Sequence, residues 1–364
     1  NINKIIEKIM HQRLFTFLDK HKCIYDLQFG FRRGHSTTDA LIYLTENIRK
    51  SLDDNYFACG IFIDLQKAFD TVDHKILLDK LEYYGIRGIA NDWFKSYLKN
   101  RKPFVSINGF HSENMIIEHG VPQGSVLGPL LFLIYINDLN KALKHCKALH
   151  FADDTSLIIQ NKSLKQMQKH VNIDLKNITN WLKANKISLN ANKTELLIFK
   201  HHSKNINYNL KIKLNGRIIQ PSSFVKYLGV YIDPHLNWSH HINTIIPKLS
   251  RALGMLSKIR HFVSIPTLRT IYYGIFSSHL LYGSQIWGQT KNYNVKRIIC
   301  LQNKALKIIT YANFYESSKH LYSISNILKF NDNVRLLNLL IVYKNLNNIL
   351  PPGLNIILAF KRKA

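Results

Sequence analysis

The sequence predicts an α+β fold that passes into an all-α region toward its C-terminal end. Two apolar, β-favouring runs carry it, residues 57 to 63 and 149 to 159; the first ends on Asp64 and the second contains Asp153-Asp154. Segments with helical spacing of apolar residues lie between them, and beyond Trp238 the strand patterns largely stop. Charge follows the same division. The 364-residue chain has 50 Lys and Arg against 23 Asp and Glu, a formal charge of +27. From Pro234 onward only Glu316 and Asp332 oppose the basic residues, and no acid occurs between Asp233 and Glu316. A solubilising surface interleaves both signs; a carboxylate-bearing half followed by a cationic half points to a polyanionic partner.

Composition excludes several classes. A hydrophobic fraction of 46% and an aromatic fraction of 11% supply a packed core, so disorder does not describe the chain. The longest apolar run, residues 130 to 136, is far short of the roughly 20 residues that span a bilayer, so no membrane partner is expected. Cys23, Cys59, Cys146 and Cys300 are scattered without a C-x-x-C pair, as thiols of a reducing compartment. Neither a P-loop nor an H-E-x-x-H motif is present, and the histidine pairs 201–202 and 240–241 lack ligand spacing. The chain opens on Asn1 with no targeting pattern, so a piece of a longer intracellular polypeptide, nuclear or cytoplasmic, is expected.

Taken in order, Ile2, Ile5, Ile6, Ile9, Leu14, Phe17 and Leu18 space a first helix. A basic, Gly-flanked loop with Arg32-Arg33 follows, and a second helix begins near Asp39. After the strand ending at Asp64, a helix runs from about Asp73, its N-cap, to Tyr84, with Gly85 as the stop. Phe104, Val105 and Ile107 lead into Asn108-Gly109, which marks a type I′ hairpin. Gly120 to Ser125 is a turn-rich loop feeding an apolar helix with Pro129 in its first turn. From Ser163 to Ala184, a capping box (Ser163, Gln166) and one stripe of apolar residues specify the clearest helix of the chain. Residues 194 to 199 and 225 to 232 read as two further strands, with Gly229 interrupting the second.

Asp153-Asp154 between two apolar strands is poor turn chemistry, since adjacent charges repel. A divalent cation relieves that repulsion, and hard oxygen ligands suit Mg²⁺. If the Asp64 strand lies beside this hairpin, three carboxylates converge, as an in-line phosphoryl displacement with two metals requires. Alone, an Asp-Asp pair is weak evidence.

The set of motifs is far more specific. Residues 62 to 74, FIDLQKAFDTVDH, resemble motif A of the reverse transcriptases of non-LTR retrotransposons, in the jockey-like and chicken-repeat-like branch. GVPQGSVLGP at 120 to 129 resembles motif B, FADD at 151 to 154 motif C, and LNANKT at 189 to 194 motif D. Tyr227-Leu228-Gly229-Val230 is similar to the primer-grip motif and Gln28-Phe29-Gly30-Phe31-Arg32 to a fingers element. All stand in the family's order.

The resemblance implies a right-hand polymerase with an all-α C-terminal extension: partial fingers at 1–58, a palm with an antiparallel sheet at 59–235 (with a fingers insertion around 85–118), a helical thumb at 236–290 and a basic helical region at 291–364. It implies RNA-directed DNA polymerase activity on an RNA template and DNA primer, with an RNA–DNA hybrid, dNTPs and two Mg²⁺ ions, or Mn²⁺. Asp64, Asp153 and Asp154 would be the catalytic, metal-binding carboxylates. Phe69 would block a ribose 2′-hydroxyl, and Gln123 would reach the nucleotide or its base pair, with Gly124 shaping the loop. Lys193 would give a proton or positive charge to the departing pyrophosphate, and either Arg32 or Arg33 would contact phosphate or template. Lys248, Arg251, Lys258 and Arg260 would meet the duplex from a thumb helix over about 247–261, with Pro247 as its first residue. An endonuclease domain is expected elsewhere in the parent polypeptide. A catalytically idle, nucleic-acid-binding remnant is the alternative, and a two-metal nuclease would leave Phe69 and Pro122-Gln123-Gly124 unexplained.

Overall fold

The computed structural model describes residues 2–99, 106–113, 118–201, 210–290, 293–313 and 315–355. Phe104 and Val105 lie outside them. The chain divides into two compact units: residues 1–36, 51–198 and 204–221 form the first, and 37–50, 199–203 and 222–364 the second.

In the first unit, helix α1 (Ile2–Lys20) precedes the loop to α2 (Thr37–Asp53), most of which belongs to the second unit. Helix α2 buries Leu41, Leu44 and Ile48, and its Arg49 donates to the carbonyl of Ile286, so it packs with the C-terminal unit. Strand β1 (Phe57–Ile63) is followed by α3 (His74–Tyr83), whose Asp73 cap accepts from the Ile76 N–H at 3.0 Å, and by α4 (Ile89–Leu98). Strands β2 (Ser106–Ile107) and β3 (Phe110–His111) pair across Asn108-Gly109, both at positive φ as a type I′ turn requires. Then come α5 (Gly128–Ile136), β4 (Lys147–Phe151), β5 (Asp154–Asn161), α6 (Leu164–Ala184), β6 (Glu195–Phe199) and the hairpin β7 (Ile212–Leu214)–β8 (Arg217–Ile219).

The central sheet has the order β4-β5-β1-β6, with β5 antiparallel to both its neighbours. Cys59, Ile61 and Ile63 of β1 and Leu157 and Ile159 of β5 join one core with the α6 stripe Met167, Val171, Leu175, Ile178 and Leu182. Helix α5, apolar on every side, is buried over nearly its whole length in the same core. Asp174 of α6 is fully buried, and its carboxylate accepts from the N–H groups of Lys144, His145 and Cys146 at 2.9, 2.9 and 2.6 Å. Those three bonds offset the cost of a buried charge and fix where β4 begins.

His150 of β4 is buried and shares a hydrogen bond of 2.9 Å with Thr155 Oγ1; burial drives its pKa down to about 4. The unfolded chain, with a histidine near 6.5, takes up the proton first. Stability present above pH 6.5 is therefore lost as pH falls toward 4, by up to about 3 kcal/mol from this residue. Denaturant titrations at pH 7 and 4.5 should show a smaller pH-dependent loss in His150→Asn than in the wild type. Equal losses would contradict a neutral buried imidazole.

In the second unit, residues 225 to 232 are two strands rather than one: β9 (Val225–Tyr227) and β10 (Val230–Ile232) pair antiparallel. Their turn, Leu228-Gly229, has φ of 44° and 79°. The Tyr282 hydroxyl donates to the Leu228 carbonyl at 2.7 Å, holding a leucine in a backbone region it seldom adopts. Helix α7 (Ser239–Ile259) runs straight through Pro247, correcting the expectation of a start there. Ile242, Ile245 and Ile246 before the proline and Leu249, Ala252, Leu253 and Leu256 after it are buried, so packing on both sides offsets the lost backbone bond. Further helices follow: α8 (Ile265–Tyr272), a π-helical turn at Tyr273–Ser277, α9 (Ser278–Leu281), α10 (Ser284–Trp287), α11 (Tyr293–Thr310), α12 (Ser318–Ser325) and α13 (Phe330–Leu346). No helix among the described residues is long and apolar enough to cross a membrane.

Candidate active site

Strand register gathers the carboxylates. Ile63 stands opposite Thr155, so Asp64, the next residue, lies beside Asp154 at the same sheet end. Phe151 pairs with Asp154, which leaves Ala152-Asp153 as a two-residue turn between β4 and β5. The Asp154 side chain is exposed at the strand end, yet its carboxyl is pushed up to about 6, first by dehydration and then by the charges of Asp153 and Asp64. Each charge makes the others costlier, and a cation placed among them would remove that cost. Among the described residues no three His, Cys, Asp or Glu side chains enclose an ion by themselves. Mg²⁺ needs no such cage, because it keeps waters and takes one or two carboxylates together with substrate phosphates. The donor set therefore fits a hard divalent ion.

Three loops converge on this sheet end. The Asn190 N–H donates to the Asp64 carbonyl at 2.9 Å, and Gln66 N–H to the Ser188 carbonyl at 2.9 Å. These bonds lay the turn containing Lys193, an exposed residue, against the end of β1. The loop after Asp64 is tied to the loop before α5: Gly120 N–H donates to the Val72 carbonyl at 2.7 Å and Val121 N–H to that of Phe69 at 2.8 Å. Gly120 is required there, since φ is +88° and a Cβ would sit 2.9 Å from the Asp70 carbonyl oxygen. Gln123 is exposed and donates to Asp70 Oδ1 at 2.9 Å; Gly124, at φ +82°, faces open space. Phe69 is half-buried, stacked on Phe132 with centroids 4.5 Å apart, and Phe31 meets it edge-on at 6.2 Å.

The third loop carries the two arginines, and it separates them. Arg32 Nη1 donates to the carbonyls of Tyr25 and Gln28 at 3.1 and 3.3 Å, so its guanidinium braces the loop, whereas Arg33 is exposed. The sequence reading passed over Gln28, Phe31 and Asp70 as site residues. Gln28 and Phe31 stand in the segment similar to a fingers element, and Asp70 is a carboxylate six residues from Asp64 in a polar loop.

In the second unit, Lys248, Arg251 and Lys258 of α7 line one groove with Gly254, Gly274 and His279. At both glycines the space where a side chain would stand is open. Arg260 is held apart, its guanidinium 4.3 Å from the Tyr311 ring centroid and its carbonyl accepting from the Tyr311 hydroxyl.

The sheet end thus carries three carboxylates, flanked by a glycine-shaped loop and a half-buried aromatic. The family described as reverse transcriptase (RNA-dependent DNA polymerase) matches residues 1–232, and the chain belongs to that family. Its mixed helix-and-sheet architecture is consistent with the right-hand polymerase fold. The chain is 30% identical to the probable RNA-directed DNA polymerase from transposon BS of Drosophila melanogaster, over 90% of this chain and 37% of that protein. It is 29% identical to the RNA-directed DNA polymerase from mobile element jockey of the same organism, over 97% of this chain and 39% of that one. The chain thus spans less than two-fifths of the length of these relatives. Among solved structures, apo telomerase from Candida tropicalis is similar over 98% of this chain and 60% of that chain, at 12% identity and a TM-score of 0.49.

Proposed function

We propose that this chain is the polymerase core of a non-LTR retrotransposon's RNA-directed DNA polymerase, extending a DNA primer on an RNA template. The observation that carries the proposal is the register that gathers Asp64, Asp153 and Asp154 at one sheet end in a chain of this family. Primer extension with dNTPs, an RNA template and Mg²⁺ tests it.

Asp64 and Asp153, with Asp154 beside them, would hold two Mg²⁺ ions, or Mn²⁺. Bound there, the ions would supply activation of the primer 3′-hydroxyl and neutralisation of the triphosphate. The primer oxygen bonds to the α-phosphorus, the bond to pyrophosphate breaks, and the hydroxyl proton is lost. Lys193 places positive charge toward the departing pyrophosphate. Arg33 suits phosphate or template contact, because Arg32 already spends donors on its own loop. Gln123 reaches the nucleotide or its base pair by exchanging its bond to Asp70, and Gly124 lets backbone approach closely. Phe69 fills the space a ribose 2′-hydroxyl would need.

Residues 236–290 serve as the thumb, and the α7 groove takes the hybrid's phosphate backbone. Two open glycines within helices, each costing about 1 kcal/mol relative to alanine, suit close approach of a sugar–phosphate chain. Arg251→Ala with Lys258→Ala should weaken hybrid binding about equally for all sequences. The double change should also flatten the slope of log affinity against log salt by up to ~2 units, at roughly 0.9 per phosphate contact on a B-form duplex. A salt titration of both proteins measures this. Parallel lines would remove these two side chains from the interface.

A further inference from the structure

We infer that Gln28 and Gly30 are positioning residues that set the reactive geometry of Asp153 by clamping the turn that carries it. This rests on the reading of Asp153 as a metal-binding carboxylate. The turn cannot hold itself. Ala152 has φ +57° and Asp153 does not share the positive sign, the φ pattern of a type II′ turn, whose first position normally belongs to glycine. An alanine there stays in place only where its surroundings over-determine it.

The surroundings come from 124 residues away in sequence. Gln28, 2% exposed, accepts at Oε1 from the Ala152 N–H at 3.1 Å and from the Gly30 N–H at 2.9 Å. On either side of it, Phe29 N–H donates to the His150 carbonyl at 2.8 Å and His150 N–H to the Leu27 carbonyl at 2.9 Å. Residues 27 to 29 thus run along β4 as a short parallel addition, with Gln28 bridged to His150. Gly30 closes the clamp by contact. A Cβ on it would stand 2.2 Å from the Ala152 nitrogen and 2.9 Å from its Cα, so backbone rests on backbone. Its φ lies outside the left-handed region, so close approach rather than conformational freedom requires the glycine.

The choice of an amide is also explained. Glutamate has the same shape and the same acceptor oxygen, but it would add a buried negative charge beside Asp64, Asp153 and Asp154. Glutamine holds the turn and leaves the local charge unchanged. Residues that orient ligands in this way typically cost about 10- to 100-fold in metal affinity or activity when changed.

The test compares Gln28→Met, which keeps length and loses the acceptor, with Gly30→Ala and the wild type. Single-turnover extension should slow by about 10-fold or more in both variants, with hybrid affinity within about twofold of the wild type. Mn²⁺ binding to the enzyme–hybrid complex, read from the EPR signal of unbound Mn²⁺ without any turnover, should weaken by a similar factor. Asp153→Asn runs in parallel. If it is inactive while Gln28→Met keeps the wild-type rate and Mn²⁺ affinity, the clamp is overturned and the reading of the site stands. If Asp153→Asn itself extends primers normally, that reading falls and the clamp with it. Should the variants not fold, hydrogen exchange in the wild type decides. The Ala152 amide should exchange about 10²-fold or more slowly than an exposed amide if Gln28 holds it, and exchange at the exposed-amide rate overturns the proposal.

Discussion

Asp64→Asn or Asp153→Asn should slow RNA-templated primer extension by at least about 10²-fold, the scale of losing one preorganised electrostatic group. Each change keeps the shape of the side chain and removes its charge, so the sheet end should stay folded. Folding should be slightly easier, because the charges of Asp153 and Asp64 both raise the Asp154 carboxyl. Hybrid binding should survive, since phosphate contacts are assigned to α7. The measurement is single-turnover extension at saturating hybrid with Mg²⁺. A near-wild-type rate in either variant would mean that the gathered carboxylates do not hold the reacting ions.

Phe69→Val should admit ribonucleotides. The Phe69 ring is fixed on both sides, by Phe132 in a stacked contact and by Phe31 edge-on, so it presents a wall that cannot swing away. The 2′-hydroxyl is the one group that distinguishes the two sugars at this point. Removing most of the ring should raise the ratio of ribo- to deoxyribonucleotide incorporation by about 10- to 100-fold, the range a small steric change in a pocket commands. The ratio of kcat/KM values for rNTP and dNTP reads this. An unchanged ratio with dNTP extension intact would make Phe69 a packing residue only.

Legibility in the sequence followed the range of the interactions. Helix α6 could be read residue by residue, because its cap at Ser163 and its stripe from Met167 to Leu182 are local signals that tertiary packing only reinforced. The carboxylates were legible as candidates because each is attached to an apolar strand; their convergence had to await the register of β1 on β5. Asn215-Gly216, a hairpin signal, joins β7 to β8, whose three residues each are too few to show an alternating strand pattern. Leu228-Gly229 was hidden for the opposite reason: leucine is poor turn chemistry, and its conformation is imposed by Tyr282 from 54 residues on. Pro247 misled in the same way, since its local rule yields to burial on both sides. Gln28 lies within a segment that resembles the family's fingers element, but no sequence pattern tells that its amide is buried against a distant turn.

The most direct measurement is extension of a labelled DNA primer on an RNA template by this 364-residue chain, with dNTPs and Mg²⁺ and with Asp153→Asn as the control. The account predicts template-dependent lengthening of the primer by the wild type and at least about 10²-fold less by the variant. A wild-type chain that binds the hybrid but leaves the primer unextended, or shortens either strand, would contradict it.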